Sequence, residues 1–270
     1  MPRFSANLSY LFTEVPFVER FAAAASAGFE AVEFHFPYEY AIDELAERIA
    51  AAGVEVVLFN LPPGNWAASE RGIACHPGRE SEFRDGLGRA IDFARALGCK
   101  RVNALAGIAP PGASEDRLRR TFIDNLAFAA RALEREGIAL VIEPINTRSM
   151  PGFYLNRSRQ ALEIIREVNE TSGETNVKIQ YDLFHMQIME GDLAHTLETL
   201  LPHIGHVQFA DAPGRHEPGT GEINFPFLFG HLDRIGYDGW VGAEYAPLTS
   251  TRESLAWLDR ARRDTRASSR

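Results

Sequence analysis

The chain has 270 residues, 45% of them hydrophobic, which is enough for one large core, and a formal net charge of -9. That acidic balance, with no basic patch interleaved by aromatics, excludes nucleic acid as a partner. No uninterrupted apolar run is long enough to span a bilayer, and MPRFSANLSYLF reads as neither leader nor anchor, so no membrane partner and a cytoplasmic location are expected.

In chain order, short β-rich runs fall near 3–8, 30–35, 54–60, 101–105, 138–143, 177–182, 204–209 and 239–244. Between them, the spacing of apolar residues predicts helices over 17–28, 42–53, 82–98, 116–137, 158–170 and 251–263. Gly28, Gly53, Gly98 and Gly137 close four of these segments, as left-handed cap residues do. Strand and helix alternating eight times predict an α/β fold, a single (β/α)8 TIM barrel, for which about 250 residues is the usual length. The barrel is assigned to 1–262 and a polar, frayed tail to 263–270. Cys75 and Cys99 form no disulfide framework or zinc pair and are read as ordinary thiols of a reducing compartment.

Two connections are long: 61–80 after the third strand and 210–225 after the seventh. Loops of that length in a compact domain are usually functional, and both fall at the catalytic rim of such a barrel.

Four residues stand at the ends of consecutive strands: Glu143 in ALVIEPIN, Asp182 in VKIQYDLFH, Gln208 in IGHVQFAD and Glu244 in GWVGAEY. One acidic residue at such a place is more often a helix cap or a surface group. Four on successive strands point to a site, because a parallel barrel collects its reactive groups at that rim. Three carboxylates and an amide oxygen make a hard, all-oxygen set that suits Mg2+ or Mn2+ better than zinc, and the cation offsets their mutual repulsion. With the strand period of two, Gln180 and His206 lie one layer deeper, as supporting residues. Glu33, two residues before His35, faces the same interior, where a carboxylate needs a partner. His185, three residues after Asp182, is a candidate hydrogen-bond donor to substrate oxygen beside the metal; a lone histidine is more often structural, and its case rests on the neighbouring Asp182.

The segments FSANLSYLF, GVEVVLFNLPPGNWAASERGIACHPGRE, LVIEPIN, KIQYDLFHMQ, GHVQFADAPGRHEPGTGEINF and GWVGAEY closely resemble bacterial hydroxypyruvate isomerases, within the xylose-isomerase-like TIM-barrel superfamily. The resemblance runs from about residue 3 to about 260. It implies Glu143, Asp182, Gln208 and Glu244 as ligands of a divalent metal, Mg2+ or Mn2+, with Glu143 and Glu244 as the proton-transfer pair and His185 on the substrate. The implied reaction interconverts hydroxypyruvate and tartronate semialdehyde through an enediolate, in carbohydrate-acid and glyoxylate metabolism. Ketose epimerases of the superfamily usually place His where Gln208 stands, which argues against an epimerase. The alternatives are a 2-oxo-tetronate isomerase, then a ketose 3-epimerase, then a sugar-acid binding barrel without turnover.

A hydroxy-keto acid substrate needs a seat for its carboxylate. Arg71 in the first long loop and Arg215 in the second are the candidates; alternatively they pair with the nearby Glu70 and Glu217. Trp66 either walls the pocket or anchors packing or an oligomer contact. Asn7, His35 and Asn60 reach the rim as further substrate-binding candidates, or satisfy only local backbone groups. Relatives of this kind form homo-oligomers, and Phe225 and Phe227 belong either to such an interface or to packing on the helices.

Overall fold

The computed structural model describes residues 2–261, and the tail expected at 263–270 lies outside them. Eight strands are present: β1 (Arg3–Asn7), β2 (Ala31–Phe34), β3 (Glu55–Asn60), β4 (Arg101–Asn103), β5 (Ala139–Ile142), β6 (Val177–Asp182), β7 (Ile204–Phe209) and β8 (Trp240–Ala243). All neighbours pair in parallel and in sequence order, and β8 returns to β1 through Arg3↔Trp240 to Ala6↔Ala243, closing the barrel. Each strand begins and ends within two residues of its expected bounds.

The connecting helices are α1 (Phe17–Ser26), α2 (Ile42–Ala52), α3 (Glu80–Leu97), α4 (Glu115–Glu134), α5 (Ser158–Ser172), α6 (Leu183–Met189), α7 (Leu193–Leu200), α8 (Phe225–Arg234) and α9 (Thr251–Ser254). Gly53 and Gly98 are left-handed C-caps as expected, while Gly28 and Gly137 take the same handedness just beyond the caps Ala27 and Arg135. The helix expected over 251–263 is broken: α9 stops at Ser254 and helix resumes over 256–261. Ser254 Oγ donates back to the Thr251 carbonyl at 2.7 Å and also meets the Tyr245 hydroxyl at 2.9 Å. A serine bonded this way competes with the helical ladder.

Outward-facing strand residues and the inner faces of the helices make the main core. Part of it is aromatic: Trp257 packs edge-on against Phe4 and Phe209, each at 5.0 Å, and meets Phe229 of α8 at 6.0 Å. Each such ring buried contributes about 1.5–3 kcal/mol. Inside the barrel, Ala31, Val57, Leu58, Val141 and Trp240 form a small separate apolar cluster. With a period of two along the strands, the next inward positions are Glu33, Asn60, Glu143 and Gly242, so the interior turns polar above this plug. Opposite Val32/Glu33 and Ile179/Gln180 the register skips one residue, Val57 on β3 and Gly205 on β7, and these bulges bend β3 and β7 where that polar layer begins. Among the described residues no helix is long and apolar enough to cross a membrane.

Candidate active site at the C-terminal rim

Two polar layers fill the upper barrel. Ser5, Glu33, Gln180 and His206 form the lower one; Asn7, Asn60, Asn103, Glu143, Asp182, Gln208 and Glu244 form the upper, and none is more than 6% exposed. Polar groups this dry must be hydrogen-bonded or paired with charge.

One ligand atom from each of Glu143, Asp182 and His185 lies within 4.8 Å of the others, so the three could hold a metal ion. Asp182 divides its oxygens: Oδ1 accepts the Phe184 N–H at 2.8 Å and caps α6, while Oδ2 is buried with no hydrogen-bond partner. A bare buried carboxylate oxygen is costly, and a cation supplies what it lacks. Burial, then Glu244 and Asp182, push the Glu143 carboxyl well above its ordinary range. Burial likewise lifts Asp182 to about 7 against the pull of Arg215. Glu244 is the contrast: burial favours its neutral form, yet Arg215 and His35 hold it at about 2.

His185 is a neutral donor. Burial and the Arg215 charge hold its ring well below the usual histidine range. Its Nδ1 accepts from the Asn146 backbone N–H at 3.4 Å and stands 2.6 Å from the Asn146 amide nitrogen. The ring proton therefore sits on Nε2, 3.6 Å from Glu143 Oε1 and 3.5 Å from Asp182 Oδ2.

Glu244 is held from both sides. Its Oε1 accepts from Asn7 Nδ2 at 2.9 Å and Gln208 Nε2 at 3.3 Å, with His35 Nε2 at 2.9 Å. Its Oε2 accepts from Arg215 Nη2, which is also 3.8 Å from Asp182 Oδ2. The guanidinium lies between the rings of Tyr10, at 4.8 Å, and Phe184, at 5.1 Å. Its Nε is buried without a partner.

Arg215 is delivered by the 210–225 loop, which Asp211 organises. The Asp211 carboxylate accepts the N–H groups of Ala212, Gly219, Thr220, Gly221 and Ile223. Its carbonyl takes the Arg215 N–H at 2.8 Å.

The structure thus gathers Asn7, His35, Glu143, Asp182, His185, Gln208, Arg215 and Glu244 around one pocket. Asn60 joins through Asn103, whose Nδ2 donates to Asn60 Oδ1 at 3.2 Å and Glu143 Oε2 at 3.3 Å. Gln180 and His206 take the deeper places expected of them: Gln180 Nε2 donates to Gln208 Oε1 at 2.5 Å, and His206 Nε2 to Glu33 Oε2 at 2.7 Å.

Arg71 is not gathered in. It stacks on Trp66 at 4.0 Å and donates to the Trp66 and Glu70 carbonyls, while Glu70 pairs with Arg79 instead. Trp66 is 41% exposed on a short turn of 3-10 helix and packs on Phe36 at 5.1 Å, in the outer wall beside His35. Glu217 binds the Leu248 N–H rather than Arg215. Phe225 is core, 5.5 Å from Phe209, whereas Phe227 is 48% exposed.

Sequence reasoning missed Asn103, Asn146, Asp211 and Tyr10. Asn103 ends β4 as Asn60 ends β3, and the same rule of strand ends would have found it. Asp211 was signalled by a lone acid opening a Gly- and Pro-rich loop whose amides need an acceptor.

A closed parallel barrel whose dry, acidic C-terminal rim includes three side chains that could hold a metal ion has the layout of a TIM-barrel enzyme site. The xylose isomerase-like TIM barrel model matches residues 21–261, and the chain belongs to that family. A hydroxypyruvate isomerase of Escherichia coli is 53% identical over 259 residues, covering 96% of this chain and 99% of that protein. A 2-oxo-tetronate isomerase of Cupriavidus necator is 50% identical over 258 residues, covering 96% and 98%. A crystal structure described as AP endonuclease, family 2, from Brucella melitensis matches with a TM-score of 0.93 at 46% identity, covering 96% of this chain and 99% of that one. An L-ribulose 3-epimerase structure, with a TM-score of 0.77 and 24% identity over 100% and 99% of the two chains, shares the fold.

Proposed function

We propose that this isomerase interconverts hydroxypyruvate and 2-hydroxy-3-oxopropanoate, with Glu143 and Glu244 as the proton-transfer pair. The observation that carries the reading is the convergence of these two buried carboxylates on one pocket with the neutral donor His185 and the cation Arg215. The names borne by the Escherichia coli and Cupriavidus necator relatives support it.

The reaction moves a proton from C3 of the keto acid to C2. One glutamate takes the C3 proton, the freed electron pair forms a C2–C3 double bond, and the carbonyl pair withdraws onto the C2 oxygen. In the second half the C3 hydroxyl passes its proton to the C2 oxygen, the electron pair on the C3 oxygen re-forms a carbonyl as the aldehyde, and the C2–C3 double-bond pair takes a proton at C2 from the other glutamate. Each positioned acid or base contributes roughly 10²–10⁴-fold. His185 Nε2–H donates to the substrate oxygen on which charge gathers. Arg215, with a spare buried Nε–H, takes the substrate carboxylate, and Asn7, His35 and Asn60 bound the pocket. Trp66 and Arg71 wall it from outside rather than touching the reacting carbons.

The donor set fits Mg2+ or Mn2+: Glu143, Asp182 through its unpartnered Oδ2, Glu244, and Gln208 through the second lone pair of Oε1. When bound, such an ion would polarise the substrate oxygens and offset the three anions. We place the protein in the cytoplasm as a homo-oligomer, in keeping with a small hydroxy-keto acid as partner.

A 2-oxo-tetronate, one carbon longer, is the second reading, favoured by the 50% identity to a relative of that name. A pocket distinguishes one carbon by about 10–200-fold. Initial rates on both substrates, with Mg2+ restored to chelator-treated protein, test the choice. We expect the larger kcat/KM for hydroxypyruvate; the reverse ratio moves the assignment to the tetronate, and silence on both sinks it.

A further inference from the structure

Glu33 is an acid with no part in the reaction above, yet it is among the most completely partnered side chains of the barrel. It is 0% exposed, and its four acceptor positions are all taken. Oε2 accepts from Ser5 Oγ at 2.8 Å and from His206 Nε2 at 2.7 Å. Oε1 accepts from Asn7 Nδ2 at 3.2 Å and from Gln208 Nε2 at 2.7 Å. With no lone pair left, Glu33 has none to offer a metal.

The fold also clears room for it. A Cβ at Gly242, opposite on β8, would stand 2.4 Å from both Glu33 oxygens, so only glycine serves at that position. The two amides on Oε1 each have a second hydrogen, and both aim it at Oε1 of Glu244, from 2.9 Å for Asn7 and 3.3 Å for Gln208. Two carboxylate oxygens on β2 and just past β8 are thereby joined by a pair of parallel NH2 bridges.

We infer that Glu33 is a positioning residue: it fixes the Asn7 and Gln208 amides, which in turn set the orientation of Glu244 and of the Gln208 amide oxygen. Without Glu33 Oε1, each amide can rotate away from Glu244 or present its oxygen to it. This inference rests on the reading of Glu244 as a proton-transfer group.

The test is Glu33→Gln, which keeps size but puts an NH2 among donors. Partners that orient reacting or ligating groups typically account for about 10–100-fold in activity or metal affinity. We expect kcat to fall by about that factor with KM within about threefold, and Mn2+ affinity, read by electron paramagnetic resonance, to weaken about tenfold. Glu33→Gln should cost less in an Asn7→Ala background than in the parent, because both changes break one bridge. A folded Glu33→Gln protein with parental kcat and Mn2+ affinity overturns the inference, as does strict additivity with Asn7→Ala. If Glu33→Gln does not fold, Ser5→Ala and Asn7→Ala replace it. The first touches only Oε2 and should cost less in kcat than the second; equal costs overturn the inference. Glu244→Gln separates the two levels: retained turnover there removes the reading of Glu244, whatever Glu33→Gln does to Mn2+ binding.

Discussion

Arg215 Nη2 lies 2.5 Å from Glu244 Oε2, and this contact ties the 210–225 loop to the end of β8. The same guanidinium reaches toward Asp182, at 3.8 Å, so one cation from a loop serves carboxylates from two strands. Replacing it by Arg215→Met keeps the length between Tyr10 and Phe184 but leaves Glu244 and Asp182 without their organic counter-charge. Breaking a buried pair costs roughly 3 kcal/mol, which is about 10²-fold in kcat/KM if it falls wholly on the transition state. Steady-state kinetics should show that loss mainly in KM, since Arg215 is assigned to the substrate carboxylate, with partial recovery in Arg215→Lys.

Asp211 reaches the chemistry only through that loop. Asp211→Ala strands five backbone N–H groups that now share one carboxylate. Hydrogen bonds to a charged group are worth about 1.5–3 kcal/mol each, partly regained from water. We expect a thermal midpoint several degrees lower and a KM effect resembling that of Arg215→Met. Protease nicking inside 210–225, absent from the parent, would locate the damage in the loop.

Glu143→Gln and Glu244→Gln keep shape and remove a basic oxygen. Each should lower kcat by roughly 10²–10⁴-fold while substrate-analogue affinity, measured by calorimetry, stays within about tenfold. A parent protein that binds the keto acid without turning it over would instead fit the binding-barrel alternative.

Metal removal should show in stability as well as rate. Glu143, Asp182 and Glu244 repel one another in a dry pocket, and a cation at 100 times its Kd stabilises the fold by about 2.7 kcal/mol. For a chain of this size that is a rise of about 5–10 °C in Tm over chelated protein, read by calorimetry, and lost in Asp182→Asn.

Much of this was legible in the sequence, for physical reasons. A strand buried on both faces writes itself as an apolar run, so the eight strands stood out, and a polar residue ending such a run marks the rim: Asp182 and Gln208 in β6 and β7, Glu143 and Glu244 one residue past β5 and β8. Period two put Gln180 and His206 one position deeper, where their side chains bond Gln208 and Glu33. Side-chain direction in loops has no such period. Arg71 and Arg215 looked equivalent in the sequence, yet one stacks on Trp66 and the other reaches Glu244. Asn146 and Asp211 act through bonds to a ring nitrogen and to loop amides, which depend on backbone turns that spacing does not encode.

Proton NMR in D2O of Mg2+-loaded protein with hydroxypyruvate tests the central claim most directly. If Glu143 and Glu244 are separate groups that exchange with solvent between removal and return of the proton, the product forms with deuterium at C2. Product that retains the original hydrogen at C2, or no product at all, would contradict the two-glutamate account.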